Sequence, residues 1–478
     1  MEDKSLHELQ RLLCRANTII EEAEGRIITN RAMTYQLNIL RKETYRGFFA
    51  MDKFRIRRND AKDHDVSNSS SLSKLCPAKR FFFSTKDSHE KNELKQLISN
   101  LNDIITDASE LVVFLKNYPP MYRQPYSMHL FIGKYIFGRQ MEMDRIVDFL
   151  QQKEHPYTKS MDILPIVGPG YVGKSTLVAH VCNNEIVRNH FSQITIVNGD
   201  DINKKKLITL KDGGRIIHQN SSLGENGRSL VVIEFSENVD SVAWNSWYLS
   251  SFGRHHIKGS KMIITSRSDK IIKFGTTQPL RLNYLPLEAY WYFFKILTFG
   301  SADPKDHPEV QSIGMELARE MSGSFLAANA ISDLLRDNFI PQYWRAYLAS
   351  FKANVKRNIS LFGDHPHHLA QKGKPASYRI TKDEHLVCYH YRESLAEDNV
   401  QAVTLSDVAS GKVKCEGEFE VLAWKSHILP YKSYISKCRI QKCTTCSSFF
   451  HIYGLLWKAG ISEESYINFT ENNSVPTE

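Results

Sequence analysis

The chain is 478 residues long, enough for about two to four domains with cores of their own. Its 42% hydrophobic and 24% charged content is that of an ordinary soluble protein. A net charge of +9 is modest for this size: it favours acidic partners, phosphates or anionic surfaces, but is too spread out to argue for nucleic acid. No run of about 18 uninterrupted apolar residues occurs, so no membrane span is expected. The charged N-terminus, MEDKSLHELQ, argues against a secretory signal. Eight cysteines are sparse, which predicts reduced thiols in a cytosolic compartment or the nucleus.

In chain order, residues 1–118 carry three apolar stripes at helical spacing. Leu6, Leu9, Leu13, Ala16, Ile20 and Ala23 form the first, and Leu37, Leu40, Phe48 and Met51 a less regular second. Leu94, Leu97, Leu101, Ile104, Ala108, Leu111 and Leu115 form an unbroken third. Between the last two, NDAKDHDVSNSSSLSK (59–74) is polar and Ser-rich and reads as a flexible loop. The stripes predict an antiparallel helical bundle, with or without a protein partner docked on it. Pro119 and Pro120 then open a linker over 119–135.

From 136 to 285 apolar runs alternate with helical stretches: ILPIV (163–167), QITIV (193–197), LVVIEF (230–235), KMIITS (261–266) and LRLNYL (280–285). Such runs predict a parallel sheet covered by helices on both faces, with ligands at the carboxyl ends of its strands. The first run leads into VGPGYVGKST (167–176), in which Gly168, Gly173, Lys174 and Ser175 satisfy G-x-x-x-x-G-K-[ST]. Glycines let the backbone curl so that its N–H groups face an anion. The lysine reaches the β- and γ-phosphates, and the Ser hydroxyl can ligate Mg²⁺. The phosphate and Mg²⁺ set is Gly168, Gly170, Val172, Gly173, Lys174, Ser175 and Thr176. Residues 286–350 read as helical again, with YWYFF (290–294) as core packing, and 351–478 as an unassigned mix of strands and loops. The fold class is thus an α/β P-loop NTPase, preceded by a helical bundle and followed by a helical subdomain and a mixed tail.

A phosphate loop that performs hydrolysis needs a carboxylate on a neighbouring strand. Glu234 ends LVVIEF and is the candidate, both as a catalytic group and as a Mg²⁺ ligand, but Phe235 beside it can neither accept a proton nor position water. Glu237 is the alternative, against its being a solvated surface charge. The chain reads as able to grip a nucleotide and poorly equipped to split it.

With these motifs in order, the chain resembles a plant NB-ARC protein of the disease-resistance (NLR) type with an Rx-type coiled-coil N-terminus, grass-like and lacking leucine-rich repeats. IFGRQMEMDRI (136–146) is similar to the family's entry motif at Gly138, Arg139 and Glu142. GPGYVGKST is similar to GxGGxGKTT except at Tyr171–Val172 and Ser175, GSKMIITSR (259–267) to the strand that ends Thr-Thr-Arg, and MSGSFLAAN (321–329) to Gly-Leu-Pro-Leu-Ala. The resemblance covers roughly 1–350 and implies an ARC1-like subdomain at 286–350, with ADP or ATP between it and the sheet. It assigns Arg139 to the adenosine side and Arg267 to sensing the γ-phosphate. The departures are Glu234–Phe235 for the family's Asp-Asp and Phe325 for its proline on the adenine. GDHPHH (363–368) does not supply the family's Met-His-Asp segment, and no winged-helix subdomain is recognisable after 350. The resemblance therefore implies a truncated or degenerate member.

Its implied function is a cytoplasmic or nuclear ADP/ATP-dependent switch in plant defence, with weak or absent hydrolysis, which presents the N-terminal bundle to protein partners or to a second copy. Two rivals stay open: an active ATPase or phosphotransferase using Glu234 or Glu237, and a scaffold whose nucleotide is only structural. Cys438, Cys443, Cys446 and His451 could form a zinc site, against free thiols on a loop. The basic runs DKFRIRR (52–58) and NKKK (203–206) read as solvated faces rather than nucleic-acid contacts.

Overall fold

The computed structural model describes residues 2–24, 26, 28, 30–67, 77–115, 136–152, 161–204, 209–210, 213–220, 227–236, 239–252, 259–380, 384–395, 403–404, 407–408, 413 and 415–442. Side chains are described at all of these except 2–3, 24, 31, 57–67, 77–91, 390, 395 and 442. The chain divides into two compact units, Met1–Ser312 and Ile313–Glu478.

The first unit opens with helices α1 (Glu2–Glu24), α2 (Arg31–Ser67), α3 (Pro77–Asp107) and α4 (Ser109–Leu115). The stripes become a shared core: Leu9, Leu12, Leu13 and Ala16 of α1 pack with Leu40 and Met51 of α2 and Leu94, Leu97 and Leu101 of α3. In the third stripe Ile105, rather than Ile104, is the fully buried position. The expected loop at 59–74 needs correction, because α2 continues through Ser67. Its polar residues 59–67 include neither proline nor glycine, so nothing breaks the helix. Residues 68–74 and the linker 119–135 lie outside the described residues.

The sheet follows in order β3-β2-β4-β5-β1-β6. Its strands are β1 (Asp162–Val167), β2 (Gln193–Asn198), β3 (Arg215–Gln219), β4 (Ser229–Glu234), β5 (Lys261–Ser266) and β6 (Leu280–Arg281). All neighbours pair in parallel except β2 with β3. Alternate residues feed the two faces. Leu164, Ile166 and Ile263 pack against α5 (Gln140–Gln151), α6 (Lys174–Cys182) and α7 (Glu185–His190). Ile163, Val167 and Ile264 pack on the other side against Trp244 and Trp247 of α9 (Ser241–Phe252) and Ile202 of α8 (Gly199–Asn203). Only the first two residues of LRLNYL join the sheet, and β3 is an exposed edge strand whose apolar content is too small to read from sequence.

α10 (Leu287–Phe299) contains YWYFF, and Tyr290, Trp291, Phe293 and Phe294 are buried as expected of core packing. One of its partners is α2. Trp291 Nε1 and Lys295 Nζ each donate to Asp52 Oδ2 at 2.8 Å, and Tyr292 lies 4.9 Å from the Tyr45 ring.

The second unit begins within α11 (Pro308–Glu320) and continues with α12 (Phe325–Asp337), α13 (Pro341–Phe362) and α14 (Pro366–Gln371). A second sheet then forms in order β7-β8-β11-β10-β9. Its strands are β7 (Ala376–Arg379), β8 (Glu384–Leu395), β9 (Val403–Thr404), β10 (Glu418–Lys425) and β11 (Lys432–Lys442). They pair antiparallel except β9 with β10. Asn358 fastens α13 to β7, accepting from Ser377 N at 2.8 Å and donating to Ser377 O at 2.7 Å. Among the described residues no helix is long and apolar enough to cross a membrane.

Candidate functional site

Residues 168–173 join β1 to α6 at the carboxyl end of the sheet. Gly168 N donates to Ser266 O on β5 at 3.3 Å, and Leu282 N donates to Val167 O at 2.8 Å, so the loop leaves the sheet between two neighbours. A Cβ at Gly168 would stand 2.3 Å from the Leu282 carbonyl oxygen, which is why only glycine fits. Gly173 caps α6 with φ +92°, and Leu177 N donates to its carbonyl at 2.9 Å to start the helix. No side chain caps this end. The first N–H groups of an α-helix have no acceptor within the helix itself, and Ser175 and Thr176 stand in this first turn of α6.

Lys174 Nζ folds onto the loop, donating to Gly168 O at 2.7 Å and Pro169 O at 2.6 Å. Its ammonium therefore sits against the backbone that would surround a phosphate. Tyr284 Oη donates to Gly170 O at 3.3 Å, and Val172 is buried beneath the loop. The donor set suits a polyphosphate: backbone N–H groups, one ammonium and a hydroxyl, with no carboxylate inside the loop to repel it.

Arg139 stands behind this loop. It is buried, ion-paired to Glu142 at 3.0 Å, and donates to Asn283 O at 2.5 Å and Val172 O at 3.4 Å. It ties the loop to the segment after β6.

Arg267 follows β5, the strand beside β1, and this adjacency brings it to the loop from a position about 90 residues downstream of it. Its Cζ lies 5.8 Å from the centre of the Tyr171 ring. Tyr171 adopts φ +57°, a left-handed conformation that glycine accepts freely and tyrosine does not. The local sequence carries no signal of this contact with Arg267, because the two residues meet only through the pairing of β1 with β5.

Glu234 ends β4 in register with Thr265 on β5 and Asn198 on β2. With β5 between β4 and β1, the strand spacing sets it about 10 Å across the sheet from β1. Burial pushes the Cys182 thiol on α6 up to about 12, and the charge of Glu234 adds to the effect. Phe235 turns into the core against Trp244, with ring centres 6.0 Å apart, so the position after Glu234 offers no carboxylate. Asp200, which belongs to no motif in the sequence, lies at this same edge and accepts from Ser236 N at 3.1 Å. Glu237 lies outside the described residues.

Other motifs settle differently. Cys438 is buried in β11 opposite Cys388, so it is not a loop thiol. Cys443, Cys446 and His451 lie outside the described residues, and among the described residues no cluster of metal ligands forms. In GDHPHH, His365 Nδ1 accepts from His367 N at 3.2 Å as the cap of α14.

No family model matches the chain. Curated proteins do match it. Disease resistance protein RGA2 of Solanum bulbocastanum is 30% identical over 217 residues, 42% of this chain and 22% of that protein. Putative disease resistance protein RGA1 of the same species is 29% identical over 215 residues, 42% of this chain and 22% of its own length. The probable disease resistance RPP8-like protein 2 of Arabidopsis thaliana is 22% identical over 373 residues, 72% of this chain and 39% of that protein. The chain is similar to plant disease resistance proteins. It spans between about a fifth and two fifths of the length of these relatives.

Proposed function

We propose that the chain is an ADP- or ATP-binding switch of the NB-ARC type in plant defence, with hydrolysis weak or absent. The observation that carries this reading is the loop between β1 and α6, with left-handed Gly173 at the cap and the Lys174 ammonium at the mouth. Gly168, Gly170, Val172, Gly173, Lys174, Ser175 and Thr176 would surround the phosphates. Arg267, beside Tyr171, would report the γ-phosphate. Arg139 would hold the loop's back from the adenosine side. Mg²⁺, bound with the nucleotide, would take the Ser175 hydroxyl and, through water, the Glu234 carboxylate. Weak hydrolysis follows from Phe235, whose side chain is committed to the core. The N-terminal helices would present the surface read by protein partners, in the cytoplasm or nucleus.

Calorimetry with ADP and ATP tests the reading. Micromolar binding is expected, lost by at least tenfold in Lys174→Ala. Absence of heat from the folded wild-type protein refutes it. Phosphate release well above the Lys174→Ala background would replace the switch with an ATPase.

A further inference from the structure

The second unit holds a pair of thiols with no part in the nucleotide reading. Cys388 on β8 and Cys438 on β11 are direct partners across an antiparallel pair, and their Sγ atoms stand 2.9 Å apart. Both are buried in the small core of this sheet with Leu386, Val408 and Val421. Directly opposed residues in such a pair have Cα atoms about 4.5–5.5 Å apart, within the range of about 4.4–6.8 Å that a disulfide spans. The backbone is thus already placed for the bond. The register also shifts here, since Lys437 faces His390 while Cys438 faces Cys388. Tyr389 is therefore the extra residue of a bulge, and the strand is twisted locally at the pair.

We infer that Cys388 and Cys438 are a redox modification site, closing to a reversible disulfide that staples β8 to β11. The oxidant is a low-molecular-weight disulfide such as oxidised glutathione. One cysteine thiolate attacks it, forming a mixed disulfide and releasing one glutathione thiolate. The second cysteine thiolate then attacks the protein sulfur of that mixed disulfide and expels the second glutathione. The protein loses two hydrogens as one oxidised glutathione becomes two thiols. Burial makes the step slow in the closed sheet. The Cys438 thiol beside it and its burial hold Cys388 well above its ordinary pKa, so exchange proceeds through local opening of the strands. The bond would close a loop between positions 50 residues apart, which restricts the unfolded chain.

The test uses the full chain, equilibrated with reduced and oxidised glutathione, quenched in acid, alkylated and digested. A peptide pair joined through Cys388 and Cys438 is expected under oxidising mixtures and is lost with dithiothreitol. The melting temperature should rise by roughly 5–10 °C on oxidation. Cys438→Ala should abolish both effects, and Cys415→Ala, in the same core but not opposed, should preserve them. Peptide mapping of the wild-type chain decides the matter even where Cys438→Ala does not fold. No 388–438 link, a preferred link to Cys415, Cys443 or Cys446, or a link without a melting shift would each overturn the inference.

Discussion

Gly168 and Gly173 are glycines for different reasons, and this separates the effects of the same substitution. At Gly173 a Cβ meets no atom within 4 Å, so Gly173→Ala costs only the left-handed backbone, about 1–2 kcal/mol. At Gly168 the Cβ collides with backbone, so Gly168→Ala must move the loop or the segment at Leu282 and should cost more. Urea denaturation of the two variants gives this ranking directly, and an equal loss would contradict it. Cys182 allows a pH prediction. Its folded pKa of about 12 lies above the ordinary thiol value of about 8.5. The folded state therefore keeps its proton longer, and the stability that this confers is complete below about pH 8.5 and is lost as pH rises towards 12. Alkylation of Cys182 at pH 8 should occur only on unfolding, which mass mapping of native and denatured protein can verify.

At the scale of elements, the α2–α10 contact contains one buried carboxylate beside its aromatic rings. Asp52 is 3% exposed and accepts from Trp291 and Lys295, so Asp52→Ala strands an indole N–H and an ammonium. A loss of about 2–4 kcal/mol is expected, part of it recovered when Lys295→Met is added, because the stranded charge is then gone. A double-mutant cycle in denaturant measures the coupling, and additive losses would show that the carboxylate does not hold this pair. The existence of these helices was legible, since Leu9 and Leu13, or Leu97 and Leu101, advertise a buried face by spacing alone. The pairing of α2 with α10 was not, because Asp52 and Trp291 are 239 positions apart and neither carries a local signal of the other.

At the scale of the whole molecule, the second unit carries two strongly depressed histidines and should lose stability in acid. Burial, with His368 and His365 close by, lowers His367 to about 3. Burial, with Arg357 and Arg379, lowers His385 to about 4. Both folded values lie below the unfolded value of about 6.5. Their stability is therefore present above about pH 6.5 and is lost as pH falls towards 4 and then 3, because the unfolded chain takes up protons first. The melting temperature should fall steeply between pH 6.5 and 4, and His385→Gln should flatten part of that slope in calorimetry. The sheet containing His385 was hard to read in advance. β7, β8, β10 and β11 mix polar and apolar residues on one-sided strands, and antiparallel pairing distributes their burial non-locally.

The order of residues alone determined the glycine loop between β1 and α6, the parallel strands and most helices, because each is coded by neighbours: glycines within a turn, Val/Ile runs of strand length, apolar steps of three and four. The tertiary structure decided which distant groups meet, from Arg267 over Tyr171 and Phe235 in the core to Asp52 under Trp291 and Cys388 opposite Cys438. Those pairings depend on strand order and helix packing, which no local stretch of the chain encodes.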